Sequence, residues 1–265
     1  MSSHQFIDVH CGFGGTVAAR HWDSPDAIRE SLAMRGIGMA FASSLSARVF
    51  DPIAGNDALA AMVGTGEETV DLRGWLVVHP SRAEDGHVQM RRYLLSDRFV
   101  GVALYPDALT GSPILARNAA EVVTAFRRYS KPVLVHAPNA AAMSEVVRIA
   151  QDFSGVKIIA SGMGGDEWRE AIEMSTKPLN LFLDISGSLC ADKIDYAFSV
   201  FGGVRKLLFA SGAPFTDPAA VIAMLFETGL NEDDRAKVLY GNAQRLFGFT
   251  THEDDEAPDL APMGG

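Results

Sequence analysis

Eight short apolar runs, spaced along almost the whole chain and separated by segments of helical periodicity, constrain this sequence more than anything else in it. The runs are Gln5–His10, Gly36–Ser43, Val70–His79, Val100–Tyr105, Pro132–His136, Val156–Ser161, Leu179–Ser186 and Lys206–Ser211. Most are continuously apolar rather than alternating. Such a strand has to be covered on both faces, as in a parallel sheet wrapped by helices. The intervening segments carry helix punctuation. Ser24-Pro25-Asp26 offers an N-cap with a Pro at the first helical position, and Gly36 follows the far end. Within Arg117–Tyr129, the residues Ala120, Val123, Phe126 and Arg127 fall at helical spacing before Lys131-Pro132 ends the run. Further helices are expected over Ala140–Phe153, over Asp166–Ser175, and from Thr216-Asp217-Pro218 onward. Eight βα units in 265 residues match an eight-stranded barrel, which takes roughly 250 residues.

The expectation is therefore a single (β/α)8 TIM barrel over residues 1–250, followed by a short acidic, disordered tail over 251–265. The tail holds Glu253, Asp254, Asp255, Glu256 and Asp259, five of the ten net negative charges. What remains is a modest net charge that argues against nucleic acid or anionic lipid as a partner. No apolar run approaches the ~18 residues of a membrane span. The first residues carry no basic segment of a signal peptide. With only Cys11 and Cys190, no disulfide framework is expected, and a cytoplasmic setting follows. Gly12-Phe13-Gly14-Gly15 has neither dinucleotide nor phosphate-loop spacing. Ser43, Ser186 and Ser211 stand near strand ends, but no G-x-S-x-G elbow frames any of them.

Five segments share an order with a known family. They are Asp8-Val9-His10-Cys11-Gly12, Gly101-Val102-Ala103-Leu104-Tyr105-Pro106, Val135-His136-Ala137, Ser161-Gly162-Met163-Gly164-Gly165 and Ser211-Gly212-Ala213-Pro214. Gly241-Asn242-Ala243-Gln244-Arg245-Leu246-Phe247-Gly248 adds a matching C-terminal helix start. Together they resemble the amidohydrolase-related branch of the amidohydrolase superfamily. The resemblance implies a divalent metal, usually zinc, at the C-terminal mouth of the barrel. It would be held by histidines, and an Asp ending the last strand would take a proton from bound water. His10 and His136 match ligand positions. Gly12 and Gly162 stand where two further His belong, Gly212 where the Asp belongs, and Ala103 where a Lys or Glu is sometimes found. Two imidazoles fall short of the three protein ligands of a catalytic zinc site. No bound cofactor is therefore expected, with zinc or another divalent metal on His10 and His136 as the residual alternative.

His79 and Asp184 also end strand runs and, with His10 and His136, are the candidates for a rewired catalytic set. The competing reading makes the histidines plain polar residues of the mouth. Arg20, Tyr105 and Ser186 are pocket candidates. Arg20 belongs to a loop, Gly12 to Asp23, that also carries His21 and Trp22 and that would cover the mouth as a lid. Tyr105 and Trp168 either line the pocket or pack beneath loops, and packing is favoured. Cys11, next to His10 on a strand, is expected on the opposite face as an inert buried thiol. The three glycines leave two readings open: a roomier, metal-free mouth, or loops collapsed into the space.

Three functions follow. The first is a non-catalytic partner or regulatory subunit, a homo-oligomer or a heteromer with an intact amidohydrolase paralogue. The second is an active hydrolase, lactonase or decarboxylase with a rewired or absent metal, acting on a small carboxylate, lactone or amide. The third is a small-molecule binding protein that uses the enlarged mouth.

Overall fold

The computed structural model describes residues 5–15, 24–64 and 69–249. The acidic stretch 251–265 and the loop residues Arg20, His21 and Trp22 lie outside the described residues.

The strands are β1 (Phe6–Phe13), β2 (Ile37–Ser44), β3 (Asp71–Val78), β4 (Phe99–Leu104), β5 (Val133–His136), β6 (Ile158–Ser161), β7 (Leu181–Asp184) and β8 (Leu207–Leu208). They form one parallel sheet in sequence order, β1 to β8. The helices are α1 (Pro25–Ala33), α2 (Leu45–Val49), α3 (Pro52–Met62), α4 (Ala83–Tyr93), α5 (Ala116–Phe126) and α6 (Ala140–Asp152). They continue with α7 (Trp168–Met174), α8 (Asp192–Phe201), α9 (Pro218–Phe226), α10 (Glu232–Ala236) and α11 (Asn242–Phe247). This is the expected (β/α)8 barrel. No helix among the described residues is long and apolar enough to cross a membrane.

All eight apolar runs fall on strands. The last departs most from expectation, because only Leu207 and Leu208 pair with β7. Beyond them the backbone turns to other partners. The Phe209 N–H donates to the Val238 carbonyl (2.9 Å), and the Phe209 carbonyl accepts from Val9 N–H (3.0 Å). Gly212 N–H then reaches the His10 carbonyl (3.0 Å). These bonds lay the chain after β8 against β1 and close the cylinder where the regular ladder stops. The Asn242 side chain secures the entry to β8, donating to the carbonyls of Val204 (2.7 Å) and Leu207 (2.8 Å).

Helix starts follow their punctuation. Ser24 accepts from Ala27 N–H to cap α1, Asn139 from Ala142 N–H to cap α6, and Asp217 from Ala219 N–H to cap α9. The apolar residues divide into two layers. One lies between strands and helices and includes Cys11, Val102, Leu104, Val133, Val135 and Ile158. The other fills the barrel and includes Val9, Phe41, Trp75, Leu134 and Ile159. Phe247, just before the described end, packs edge-on against Phe41 (4.7 Å between centroids) and Trp75 (5.9 Å), so the C-terminal helix contributes to this inner plug.

Candidate active site

Strand alternation aims most of the site. In β5, Val133 and Val135 face the helices while Leu134 faces the barrel, so His136 points inward. The same parity turns Tyr105 after β4, Ser161 in β6 and Asp184 in β7 toward the axis. β1 is different. Ile7 and Val9 both belong to the neighbourhood of the inner layer and Cys11 to the outer one. A register shift between Asp8 and Cys11 breaks the alternation, and the bulge re-aims His10 across the barrel. Cys11 lies on the opposite face, as expected. Its Sγ donates to the Phe41 carbonyl, and burial pushes its thiol pKa up.

His10 is the hub. Its Nδ1 lies 2.9 Å from Asp184 Oδ2 and 2.9 Å from Ser161 Oγ. Its Nε2 lies 2.8 Å from the Tyr105 hydroxyl and 3.2 Å from an Arg48 guanidinium nitrogen. Because the carboxylate only accepts, the ring proton sits on Nδ1 and Nε2 presents a lone pair to Tyr105 and Arg48. Burial lowers the His10 pKa against the pull of Asp184, so the imidazole is neutral. Asp184 is buried, yet hydrogen bonds hold its pKa below the usual carboxylate value. Besides His10 it accepts from Gly162 N–H (2.9 Å), Ser186 N–H (3.1 Å) and the Ser186 hydroxyl. Burial raises the Tyr105 pKa, which keeps the phenol protonated.

Asp8 lies under this set. Its carboxyl accepts from the backbone N–H of His10 (3.1 Å) and Ser211 (3.0 Å) and from the Ser211 hydroxyl. Burial raises its pKa to about 7. Arg48 is held by Ser43 Oγ (2.9 Å) and the Cys11 carbonyl (3.0 Å), and its guanidinium lies 4.7 Å from the centre of the Tyr105 ring. The three strand-end serines thus orient ionisable groups: Ser43 holds Arg48, Ser186 holds Asp184 and Ser211 holds Asp8. Lys193 braces the loop after β7 by donating to the carbonyls of Ile185 (2.8 Å), Ser186 (2.9 Å) and Ser188 (2.6 Å).

His10, Arg48, Tyr105, Ser161 and Ser186 line a mouth cavity of about 590 Å³, together with His136, Gly162 and Gly212. His136 stacks on Tyr105 (5.3 Å between centroids), its pKa lowered to about 4 chiefly by burial. Its Nδ1 is buried and finds no hydrogen-bond partner among the described residues.

Of the sequence candidates, the structure brings together His10, Asp184, Tyr105, Ser186 and His136. It does not bring in His79, whose two ring nitrogens face the carbonyls of Tyr105 (3.1 Å) and Ala47 (2.8 Å). That residue ties α2 to the end of β4. Tyr105, favoured as packing, carries its hydroxyl into the site. Trp168 does pack, edge-on to Tyr196 at 5.6 Å. Arg48 and Ser161 escaped the sequence reading. An Arg one helical turn past a strand end, near the mouth, was the available signal for the first.

The glycines divide. A Cβ on Gly12 would sit 2.7 Å from Leu45 Cδ2 and 3.2 Å from the Ala213 carbonyl, so that part of the mouth is filled. Of the two readings left open for the glycines, the collapsed one holds there. A Cβ on Gly162 or Gly212 meets nothing closer than 3.8 Å or 3.5 Å, respectively. Both have left-handed φ, +88° and +67°, which disfavours a side chain for a different reason. Ala103 is buried in the barrel interior.

The donor set does not fit a divalent cation. Among the described residues no three His, Cys, Asp or Glu side chains converge as ligands. His10 has both nitrogens engaged, and the positive Arg48 occupies the approach to Nε2.

A family model described as amidohydrolase matches residues 7–249. No curated protein matches the chain. Among solved structures, dihydroxybenzoic acid decarboxylase from Polaromonas sp. JS666, with bound manganese and the inhibitor 2-nitroresorcinol, is similar at 18% identity. Its TM-score is 0.72, over 96% of this chain and 100% of that one. The 2,6-dihydroxybenzoate decarboxylase from Rhizobium is similar at 14% identity and TM-score 0.74, over 92% and 99%. The 5-carboxyvanillate decarboxylase from Sphingomonas paucimobilis is similar at 15% identity and TM-score 0.70, over 93% and 99%. At these identities the likeness is one of fold.

Proposed function

The chain belongs to the amidohydrolase family, and from that premise we propose an enzyme that hydrolyses, opens or decarboxylates a small carboxylate-bearing substrate by proton transfer at His10, without a resident metal. The observation that carries this is the buried Asp184–His10 pair, 2.9 Å apart, with Nε2 turned to Tyr105 and Arg48 beside a 590 Å³ cavity. The family's usual metal would activate water and polarise a carbonyl. Here those tasks fall to side chains. Neutral His10, oriented by Asp184, accepts a proton at Nε2. Arg48 binds the substrate carboxylate or the oxygen on which charge develops. Tyr105, kept as a phenol, gives its proton to the leaving atom and regains one from His10 Nε2, 2.8 Å away. General acid–base transfer of this kind supplies about 10²- to 10⁴-fold in rate.

The test is turnover of lactones, cyclic amides and aryl carboxylates by protein stripped with a chelator. Activity that survives chelation and is lost in His10→Gln supports the proposal. Activity that vanishes on chelation and returns with manganese overturns the metal-free mechanism.

One observation favours a second reading. Val49, Phe50, Leu109, Leu189 and Phe215 are each more than half exposed. Val49 and Phe215 line the mouth cavity, and the others adjoin residues that do. Such an apolar rim suits a covering chain, a second copy or an intact paralogue. Absence of turnover in the panel above, with a stable oligomer by light scattering that Phe50→Asp and Phe215→Asp dissociate, would favour the partner role.

A further inference from the structure

A second cleft, of about 320 Å³, adjoins the mouth between the loop after β4 and the start of α6. Pro106, His136 and Pro138 line both spaces, so the two share a wall with the imidazole of His136 at the junction. The remaining wall is Pro113, Ile114, Leu115, Ala141, Ala142 and Val146, apart from two polar side chains. Neither of those is free. Asn139 Oδ1 accepts from Ala142 N–H (2.9 Å). Glu145 accepts from Ala116 N–H (2.8 Å) through one oxygen and from Arg148 (2.8 Å) through the other.

Away from the His136 imidazole at the junction, the Asn139 and Glu145 oxygens of this cleft are already engaged, so it offers little to a hydrogen-bond donor and chiefly buries apolar surface. The Glu145 charge also disfavours an anion there, whereas Arg48 sits on the mouth side. We infer that the cleft is an apolar subsite of the mouth: the substrate is an elongated acid, its carboxylate at Arg48 and an apolar or aryl arm lying past His136 against Leu115 and Ala142. This rests on the reading of the mouth as the substrate site and adds the shape of the substrate. Recognition along the arm would come from burial, worth about fourfold in affinity per added methylene.

The experiment is calorimetric titration of the full chain with benzoate, phenylacetate and 4-phenylbutyrate. Affinity is expected to rise at least tenfold from the shortest to the longest acid. Ala142→Trp, which fills the cleft, should abolish that gain and leave benzoate binding unchanged. Ile114→Ala, which removes wall without adding bulk, should weaken 4-phenylbutyrate alone and serves if the Trp variant does not fold. Equal affinities across the series, or a gain that persists in both variants, would overturn the subsite. Arg48→Met separates the two claims. If it abolishes binding of all three acids, mouth and cleft act together. If 4-phenylbutyrate still binds and Ala142→Trp still removes the gain, the cleft stands and the anchoring role of Arg48 falls.

Discussion

His10 Nδ1 and Asp184 Oδ2 meet at 2.9 Å across the barrel, 174 positions apart in the chain. Each is buried, and the pair sets the tautomer of the imidazole. Asp184→Asn would offer an amide where Gly162 N–H, Ser186 and His10 all need an acceptor. It is expected to destabilise the fold by about 2 kcal/mol and to lower turnover by roughly 10²- to 10⁴-fold. Nitrogen NMR of His10 should show the proton leaving Nδ1. An unchanged tautomer in the variant would mean that Asp184 does not orient the ring.

Arg48 engages Ser43 Oγ, the Cys11 carbonyl and His10 through a planar fork that lysine lacks. Arg48→Lys should therefore weaken benzoate binding about tenfold or more although the charge is kept. Thermal-shift titration reads this directly. Equal binding by the two proteins would remove Arg48 as an anion anchor.

Restoring the family's side chains should fail in a set order. Gly12→His must displace Leu45 and is expected to cost roughly 1–3 kcal/mol, relieved by a second change, Leu45→Ala. Gly162→His meets open space but a φ of +88°, costing roughly 1–2 kcal/mol. Gly212→Asp, at φ +67°, should be the mildest, because Asp tolerates the left-handed region better than most residues. Urea denaturation of the three variants checks the order. A Gly12→His protein as stable as the parent would show that Leu45 yields freely.

Two groups, one buried and one partly so, give stability opposite dependences on pH. His136 has its folded pKa lowered from 6.5 to about 4. The unfolded chain then binds the extra proton first, so stability present above pH 6.5 is lost as pH falls through that window. Asp8 has its folded pKa raised from 3.8 to about 7. There the native state holds the extra proton, so stability present at low pH is lost as pH rises from about 4 to 7. Compared with the parent, His136→Gln should lose less stability on acidification and Asp8→Asn less on alkalinisation. Denaturation at four pH values between 4 and 8 tests both signs. Parallel profiles for parent and variants would contradict the assignment.

The barrel itself was legible in the order of residues. Eight apolar runs, most of them continuous, call for strands covered on both faces, and Ser24-Pro25 and Asp217-Pro218 mark helix starts by local chemistry alone. Local parity also placed Cys11 away from His10; the motif positions pointed to His10 and His136, and the end of a strand run to Asp184. Chain order could not show the bulge between Asp8 and Cys11 that turns His10 inward, because the shift is a property of pairing with β2. Nor could it show that Leu45 fills the space at Gly12, that Arg48 meets His10 from a short helix, or that Ser161 and Tyr105 reach the same imidazole. It also could not show how the surroundings of His79 and His136 differ. His79, just past β3, is bound by two carbonyls, whereas His136, ending β5, faces a cavity. Secondary structure follows from near neighbours and hydrophobic periodicity. The site follows from which strand ends a closed cylinder brings together, and only the tertiary structure decides that.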